Sequence, residues 1–354
     1  MAHTLQERYS ALVLAKLRNS QVLKDGVVFN NDYEGNPTAG AVKIPVRDIE
    51  VVVGDYNKAT GINPGTGTTT YQTLTINKDK AVNEIIDGYD AAGVPDNLVA
   101  DRLDSAGYSL AKTIDTDGAT ELLTNGTPYN APTVTSSTIY DLVVNVRTAM
   151  SKANVPNDGR RYILVTPDAY ALMLKDKDNF IRQGDMSQAI KATGAIGQYA
   201  GFNVYEWNDS TANLLFIAGH PKFATRVNEW SVGIKLVDLD GDANFVGASA
   251  VKGRMVYAHK VLRAAAVRPV YSPGVLELSA AAGTAGKTIV TVTGAGTYRY
   301  RVNPAERAVF GQGQADFTTM TSGTTEITAA AGATIEVVKI SDSKVTAVGY
   351  IDAV

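Results

Sequence analysis

Chemistry needs donors, and this 354-residue chain has few: three histidines and no cysteine. His3, His220 and His259 are far apart in sequence, and His220 lies in the turn signal Gly219-His220-Pro221. Each reads as a structural imidazole. Without thiols or clustered imidazoles, thiol nucleophiles and transition-metal sites have no donor set. One acidic run has ligand-like spacing. Asp238-Leu-Asp240-Gly-Asp242-Ala-Asn244 puts side-chain oxygens at alternate positions, as calcium loops do. Its Gly is fourth rather than sixth, however, and Ser249 stands where a bidentate Glu belongs. A turn between two strands accounts for the same residues, and the spacing leaves open whether Asp238, Asp240 and Asp242 hold an ion. No Gly-x-Ser-x-Gly elbow, P-loop or His-Glu-x-x-His is present. Gly311-Gln-Gly313 lacks the third glycine of a dinucleotide loop and lies outside any strand-to-helix turn. No carboxylate pair stands out for glycoside hydrolysis. The expectation is a chain with no catalytic residue, no metal and no cofactor.

Charge and hydropathy narrow the choice further. Lys+Arg number 33 against 36 Asp+Glu, a net charge of −3, which lacks the strongly basic surface of most nucleic-acid binders. Hydrophobic residues at 45% and charged residues at 19% describe a folded chain. No run approaches the 18 apolar residues of a membrane span, so no membrane partner is expected. The opening MAHTLQERYS lacks the basic stretch and apolar core of a secretory signal, which predicts synthesis in a cytoplasm.

The elements that would position anything are more informative. Leu5, Tyr9, Leu12 and Val13 recur at helical spacing, an amphipathic segment that docks on its own domain or on a neighbouring subunit. Val42, Ile44 and Val46, then Leu74 and Ile76, alternate as strands, with Val51-Val52-Val53 between them. Gly54 to Thr70, with Asn63-Pro64-Gly65, is a Gly- and Thr-rich connection of a length that compact domains use for function. Residues 41–86 therefore read as a two-stranded finger that must lie on something, its own core or another subunit. From Pro95 to Asn125, Val99, Leu103, Ala106, Leu110, Ile114, Gly118 and Leu122 form one stripe of a long helix, with Asp117-Gly118 a possible break. The other face carries Asp96, Asp101, Asp104, Asp115, Asp117 and Glu121, read as a solvated face that could also receive a neighbour.

An α/β pattern follows. A helix is expected through Ile139, Leu142, Val143, Val146 and Met150. Next come the buried strand Tyr162–Val165, a helix capped by Thr166-Pro167-Asp168, and strands at 202–207 and 214–218. Trp230 to Val270 is mostly β-like. Ser272-Pro273-Gly274 marks a boundary. Beyond it, short strands at Val275–Leu278, Thr288–Val292, Tyr298–Val302, Ile335–Ile340 and Val345–Ile351 predict a β-sandwich of immunoglobulin-like arrangement. An arm, a finger and a long rod are devices for covering area, as interlocking subunits do.

In this order of elements the chain resembles the major capsid protein of tailed double-stranded DNA bacteriophages, whose fold is shared with encapsulins and herpesvirus capsid floors. Several stretches carry the likeness: Asp79-Lys80-Ala-Val-Asn-Glu-Ile-Ile-Asp87 leading into Ser109-Leu-Ala-Lys-Thr-Ile-Asp115, Leu164-Val-Thr-Pro-Asp-Ala-Tyr170, and Gly194-Ala-Ile-Gly197 with Gly201-Phe-Asn-Val-Tyr205. The resemblance implies an α+β fold. Its parts would be an N-terminal arm at 1–40, an extended loop at 41–87, a peripheral domain with the spine helix at 88–159, a mostly axial domain at 160–250, and a return strand at 251–271. Residues 272–354 would be an added, surface-exposed sandwich, removable without loss of assembly. The family implies hexamers and pentamers tiling an icosahedral shell around double-stranded DNA without sequence-specific contacts, helped by a scaffolding protein and a portal in the bacterial cytoplasm. Candidate subunit-interface residues are Leu5, Tyr9, Leu12, Lys58, Asn63, Pro64, Tyr71, Asp101 and Asp104. Some relatives cross-link a loop Lys to an Asn; Lys58 has no identifiable partners, so unlinked subunits are expected. The alternative from another class is a cell-surface adhesin or surface-layer subunit, suggested by the β-rich tail.

Overall fold

The computed structural model describes residues 22–33, 40–47, 50–51, 53–62, 67–93, 98–176, 196–241, 244–320 and 324–354. From the N-terminus come β1 (Ala41–Val46), β2 (Thr70–Thr75) and β3 (Lys78–Asp87), then α1 (Gly88–Gly93) and α2 (Leu98–Asn125). An α/β stretch follows: β4 (Tyr129–Asn130), α3 (Ile139–Lys152), β5 (Tyr162–Val165), α4 (Pro167–Leu174), β6 (Gln198–Tyr199), β7 (Phe202–Glu206) and β8 (Leu214–Gly219). Two long strands, β9 (Ala224–Asp238) and β10 (Ala248–Val261), precede β11 (Arg268–Tyr271). The remainder is all β: β12 (Gly274–Val275), β13 (Leu278–Ala282), β14 (Lys287–Val292), β15 (Thr297–Val302), β16 (Thr318–Thr319), β17 (Thr324–Thr328), β18 (Thr334–Ser341) and β19 (Lys344–Asp352). The chain divides into two compact units: residues 1–121 with 224–262, and residues 122–223 with 263–354.

In the first unit, β3, β10 and β9 form an antiparallel sheet with β10 in the centre. One face of it packs on α2, through Ile86, Val251 and Tyr257 against Ala106, Leu110 and Ile114. The apolar stripe expected along the helix is the stripe that is buried, and each fully buried Leu or Ile contributes roughly 1.5–3 kcal/mol. The helix does not break at Asp117-Gly118, because Gly118 is a packing residue. A Cβ there would come within 3.0 Å of the Phe29 ring and 3.2 Å of His259. Pro95 and Asp96, expected at its start, lie outside the described residues. Lys78–Asp87, which the sequence pattern groups with the finger, instead joins the three-stranded sheet as β3. Only β1 and β2 form the two-stranded ribbon. Val51 and Val53 extend neither strand and are exposed.

In the second unit, six strands run in the order β4-β11-β8-β5-β7-β6, with β5 parallel to β7 and antiparallel to β8. Ile139, Leu142, Val143, Val146 and Met150 of α3 cover this sheet, meeting Ile163, Val165, Phe202 and Phe216. Thr166 precedes α4 with Pro167 behind it, but its hydroxyl donates to Leu215 O (2.9 Å) rather than capping the helix. The remaining strands make two sheets, β12-β19-β18-β15-β16 and β13-β14-β17, joined face to face by Val290, Val292 and Ile327 against Tyr298, Ile335 and Val337. The single strand expected at 275–278 splits in two, because the chain changes sheets between Val275 and Leu278. Asp342 and Ser343 both take positive φ, the two-residue turn that matches strand twist between β18 and β19.

Gly219 lies directly opposite Tyr162 in the β8–β5 ladder, and a Cβ there would stand 2.3 Å from the Tyr162 hydroxyl oxygen. The ring is fully buried and cannot yield. Gly219→Ala is therefore expected to destabilise the second unit by about 2–3 kcal/mol, read as a lowered urea midpoint at unchanged slope.

Candidate functional site

Covering area requires a projection with a firm root, and the β1–β2 ribbon has one. The ribbon packs its root on its own unit: Ile44 and Leu74 are buried against Val227 of β9 and Ala258 of β10. Lys260 Nζ donates to Thr73 O (2.7 Å), and Gln72 reaches Leu262 O (3.5 Å). Toward the tip the same segment reverses character. Val51, Val53, Tyr56 and Tyr71 are 89%, 93%, 73% and 63% exposed, a set of bare apolar side chains. Lys58 lies in a closed turn, where Gly61 N donates to Asn57 O (2.7 Å) and Ala59 N to the Asn57 side chain (2.8 Å). Tyr71 stands opposite Pro45 in the ladder.

The stretch 22–30 is anchored in the same unit. Leu23, Val28 and Phe29 are fully buried. Asn30 N donates to Ala224 O (2.9 Å), and Arg226 N donates to Asn30 O (2.9 Å). The Arg226 side chain gathers the rest. Its Nη2 donates to Leu23 O (2.7 Å) and lies 3.7 Å from Asp115; its Nη1 is 3.4 Å from Asp25. Its Nε donates to His259 Nε2 (3.0 Å), and the guanidinium lies 5.3 Å above the Phe29 ring. Leu5, Tyr9 and Leu12 lie outside the described residues, as do Asn63 and Pro64.

The acidic face expected to be solvated is not solvated in the C-terminal half of α2, because the helix uses its carboxylates there to dock on the sheet. Asp117 accepts from Lys78 Nζ (3.1 Å) and the Tyr257 hydroxyl (2.8 Å), and Glu121 accepts from Val261 N (3.0 Å). Burial alone would raise the Asp117 pKa, but these two donors hold it below its ordinary value. Burial raises Asp115 in spite of Arg226. Asp101 and Asp104 lie near the helix start, half-buried and exposed respectively. The acidic run after β9 is a turn: Asp238 accepts from Asp240 N (3.0 Å) and Asp240 from Gly247 N (2.7 Å). Asp242 lies outside the described residues, and among those described no group of three or more His, Cys, Asp or Glu could hold a metal. His220 is buried, bonded to Asp158 (2.9 Å) and receiving Lys222 N (3.2 Å). His3 is not described. Among the described residues, no helix is long and apolar enough to cross a membrane.

The ribbon is thus sealed by apolar residues at its root and carries bare apolar side chains toward its tip. Residues 84–271 match the phage capsid protein family. The chain belongs to that family. Solved structures share the fold of this capsid protein. A structure from Mycobacterium phage Che8 aligns at TM-score 0.63 and 24% identity, covering 75% of this chain and 96% of that one. The capsid of Cyanophage P-SCSP1u gives 0.62 and 14%, covering 75% and 92%. The mature capsid of bacteriophage PhiM1 gives 0.59 and 11%, covering 76% and 92%. No curated protein matches by sequence. The capsid protein is thus a structural subunit of a virion shell, and the adhesin alternative finds no support.

Sequence reasoning missed Arg226 and its partners. Leu23 and Arg226 are 203 residues apart, and no local pattern marks such a contact. His259 gives this node a pH signature. Its Nε2 accepts from Arg226, so its proton is on Nδ1, and burial followed by the Arg226 charge pushes its pKa down to about 3. A His depressed from 6.5 costs stability as pH falls below 6.5, since only the unfolded chain takes up the proton. The slope is up to about 1.4 kcal/mol per pH unit until pH 3 is approached. Asp115 acts in the opposite sense, but only where carboxylates titrate. Urea unfolding is therefore expected to lose about 2 kcal/mol between pH 6.5 and 5, and His259→Gln is expected to flatten that slope.

Proposed function

We propose that copies of this chain tile an icosahedral shell as hexamers and pentamers, enclosing double-stranded DNA without sequence-specific contacts. In this reading assembly takes place in the bacterial cytoplasm with a scaffolding protein and a portal, and the chain carries no enzymatic activity. The near-neutral charge supports a wall that surrounds DNA without gripping it. The finger reaches over a neighbouring subunit, with Lys58 and Tyr71 on the finger and Asp101 and Asp104 on the spine helix in subunit contacts. Leu5, Tyr9, Leu12, Asn63 and Pro64 are proposed for the same interfaces. Residues 272–354 form an added immunoglobulin-like domain, set on the shell exterior in this reading, and two facts support the added domain. Its strands cross between sheets from β14 to β15 and from β17 to β18, and β12 runs parallel to β19. The solved neighbours are covered almost whole while about a quarter of this chain is left over.

The observation that carries the assembly reading is the finger: buried at its root, with Val51, Val53 and Tyr56 bare at its tip. A patch of this kind marks a protein contact. Val53→Asp combined with Tyr56→Asp leaves the root intact and puts charge where the neighbour would seat. The double variant is expected to remain folded by circular dichroism yet sediment as free subunits or isolated capsomers. Wild-type yields of closed shells would refute the finger's part in assembly.

A further inference from the structure

Between β15 and β16 the chain makes an excursion, 303–317, that the two sheets of the C-terminal domain do not require. One side of it is fastened to that domain. Ala308 and Phe317 complete a small core with Val338, Ile340, Val345 and Val348 on the outer face of the five-stranded sheet. Ala308 N donates to Glu336 Oε1 (2.7 Å), and the fully buried Glu336 is paired with Arg301. Arg301 also lies 4.6 Å over the Phe317 ring and donates to Glu306 O (2.6 Å). Gly311 N donates to Val345 O and Val345 N to Gln312 O, both at 2.9 Å. A buried carboxylate matched by a guanidinium and an amide holds its segment in one geometry.

The other side of the excursion meets the six-stranded sheet. Phe310 stacks on Tyr271, the last residue of β11, with ring centroids 5.4 Å apart and planes at 22°. Its amide points to Ala131 O (3.5 Å), just past β4, and a Cβ on Gly311 would lie 3.5 Å from Asn130 Nδ2. The connection between the two parts is held too. Ser272 is 6% exposed, its amide donates to Asn213 O (3.0 Å), and its hydroxyl donates to Pro132 O (3.1 Å). A tether would leave these groups in water.

We propose that 303–317 is a docking strap that locks the C-terminal β domain onto the β4–β11 end of the α/β sheet. The domain is then a fixed part of the subunit instead of an appendage on a flexible link. The strap also covers the outermost strand of that sheet, β4, whose open edge would otherwise offer backbone groups to other chains. Removing 272–354 therefore uncovers part of the α/β sheet as well as deleting a domain.

Amide hydrogen exchange on the full-length, unassembled chain tests this independently of shell formation. A negative result leaves the capsid reading untouched, and a failure to form shells leaves the strap untouched. In the wild type, peptides covering 128–134 and 268–275 are expected to exchange at least tenfold more slowly than an unstructured chain. In Phe310→Ala the same peptides are expected to exchange at least tenfold faster than in wild type, while 287–292, in the domain's own core, stays unchanged. Tyr271→Leu, which keeps the bulk but removes the ring, provides the same reading should Phe310→Ala misfold. Unprotected exchange at 268–275 in the wild type, or protection unchanged in both variants, would overturn the strap.

Discussion

One guanidinium organises the first unit. Arg226 is the meeting point of the root of the N-terminal segment, the spine helix and the central hairpin, through Leu23 and Asp25, Asp115, and His259 respectively. A planar fork of five donors can satisfy a carbonyl, two carboxylates and an imidazole at once; a lysine ammonium could not match that geometry. Taking a charge out of water is costly, and leaving Arg226 without partners would cost several kcal/mol more. Its partners therefore stand or fall together, and the stretch 22–30 is fixed wherever α2 and the β9–β10 pair are folded.

The same logic separates root from tip in the finger. Ile44 and Leu74 are sealed against the hairpin, so the ribbon leaves the unit in a set direction. Past that point none of the described residues covers Val51, Val53 or Tyr56, and a bare two-stranded ribbon is marginal in water. Its exposed valines and tyrosines make sense in a protein that is completed by its neighbours, as a capsid subunit is. The second unit solves a related problem inside one chain, where the strap at 303–317 gives an added domain a fixed seat.

What the sequence made legible follows from range. The α3 stripe, the buried strand at 162–165 and the spine stripe were readable, because periodicity within a helix or strand reports which face is buried. The finger's strands were readable for the same reason. What failed was anything decided by distant partners. The acidic spine residues Asp115, Asp117 and Glu121 read as solvated, since Arg226, Lys78, Tyr257 and Val261 lie far along the chain. β3 was hidden inside the finger because its alternation mixes charged and apolar residues on a half-covered sheet. Phe310 carried no local signal of docking at all. Of the nine candidate interface residues, four fall within the described residues. Lys58, Tyr71 and Asp104 are exposed and Asp101 is half-buried, positions from which a neighbour could be met.

In the proposed shell, the finger's bare tip is covered by another copy of the chain. Electron cryo-microscopy of particles formed by the purified wild-type protein shows whether it is. Closed icosahedral shells are expected, with Val51, Val53 and Tyr56 buried against an adjacent subunit. Small monodisperse oligomers, or closed shells in which those side chains still face solvent, would contradict it.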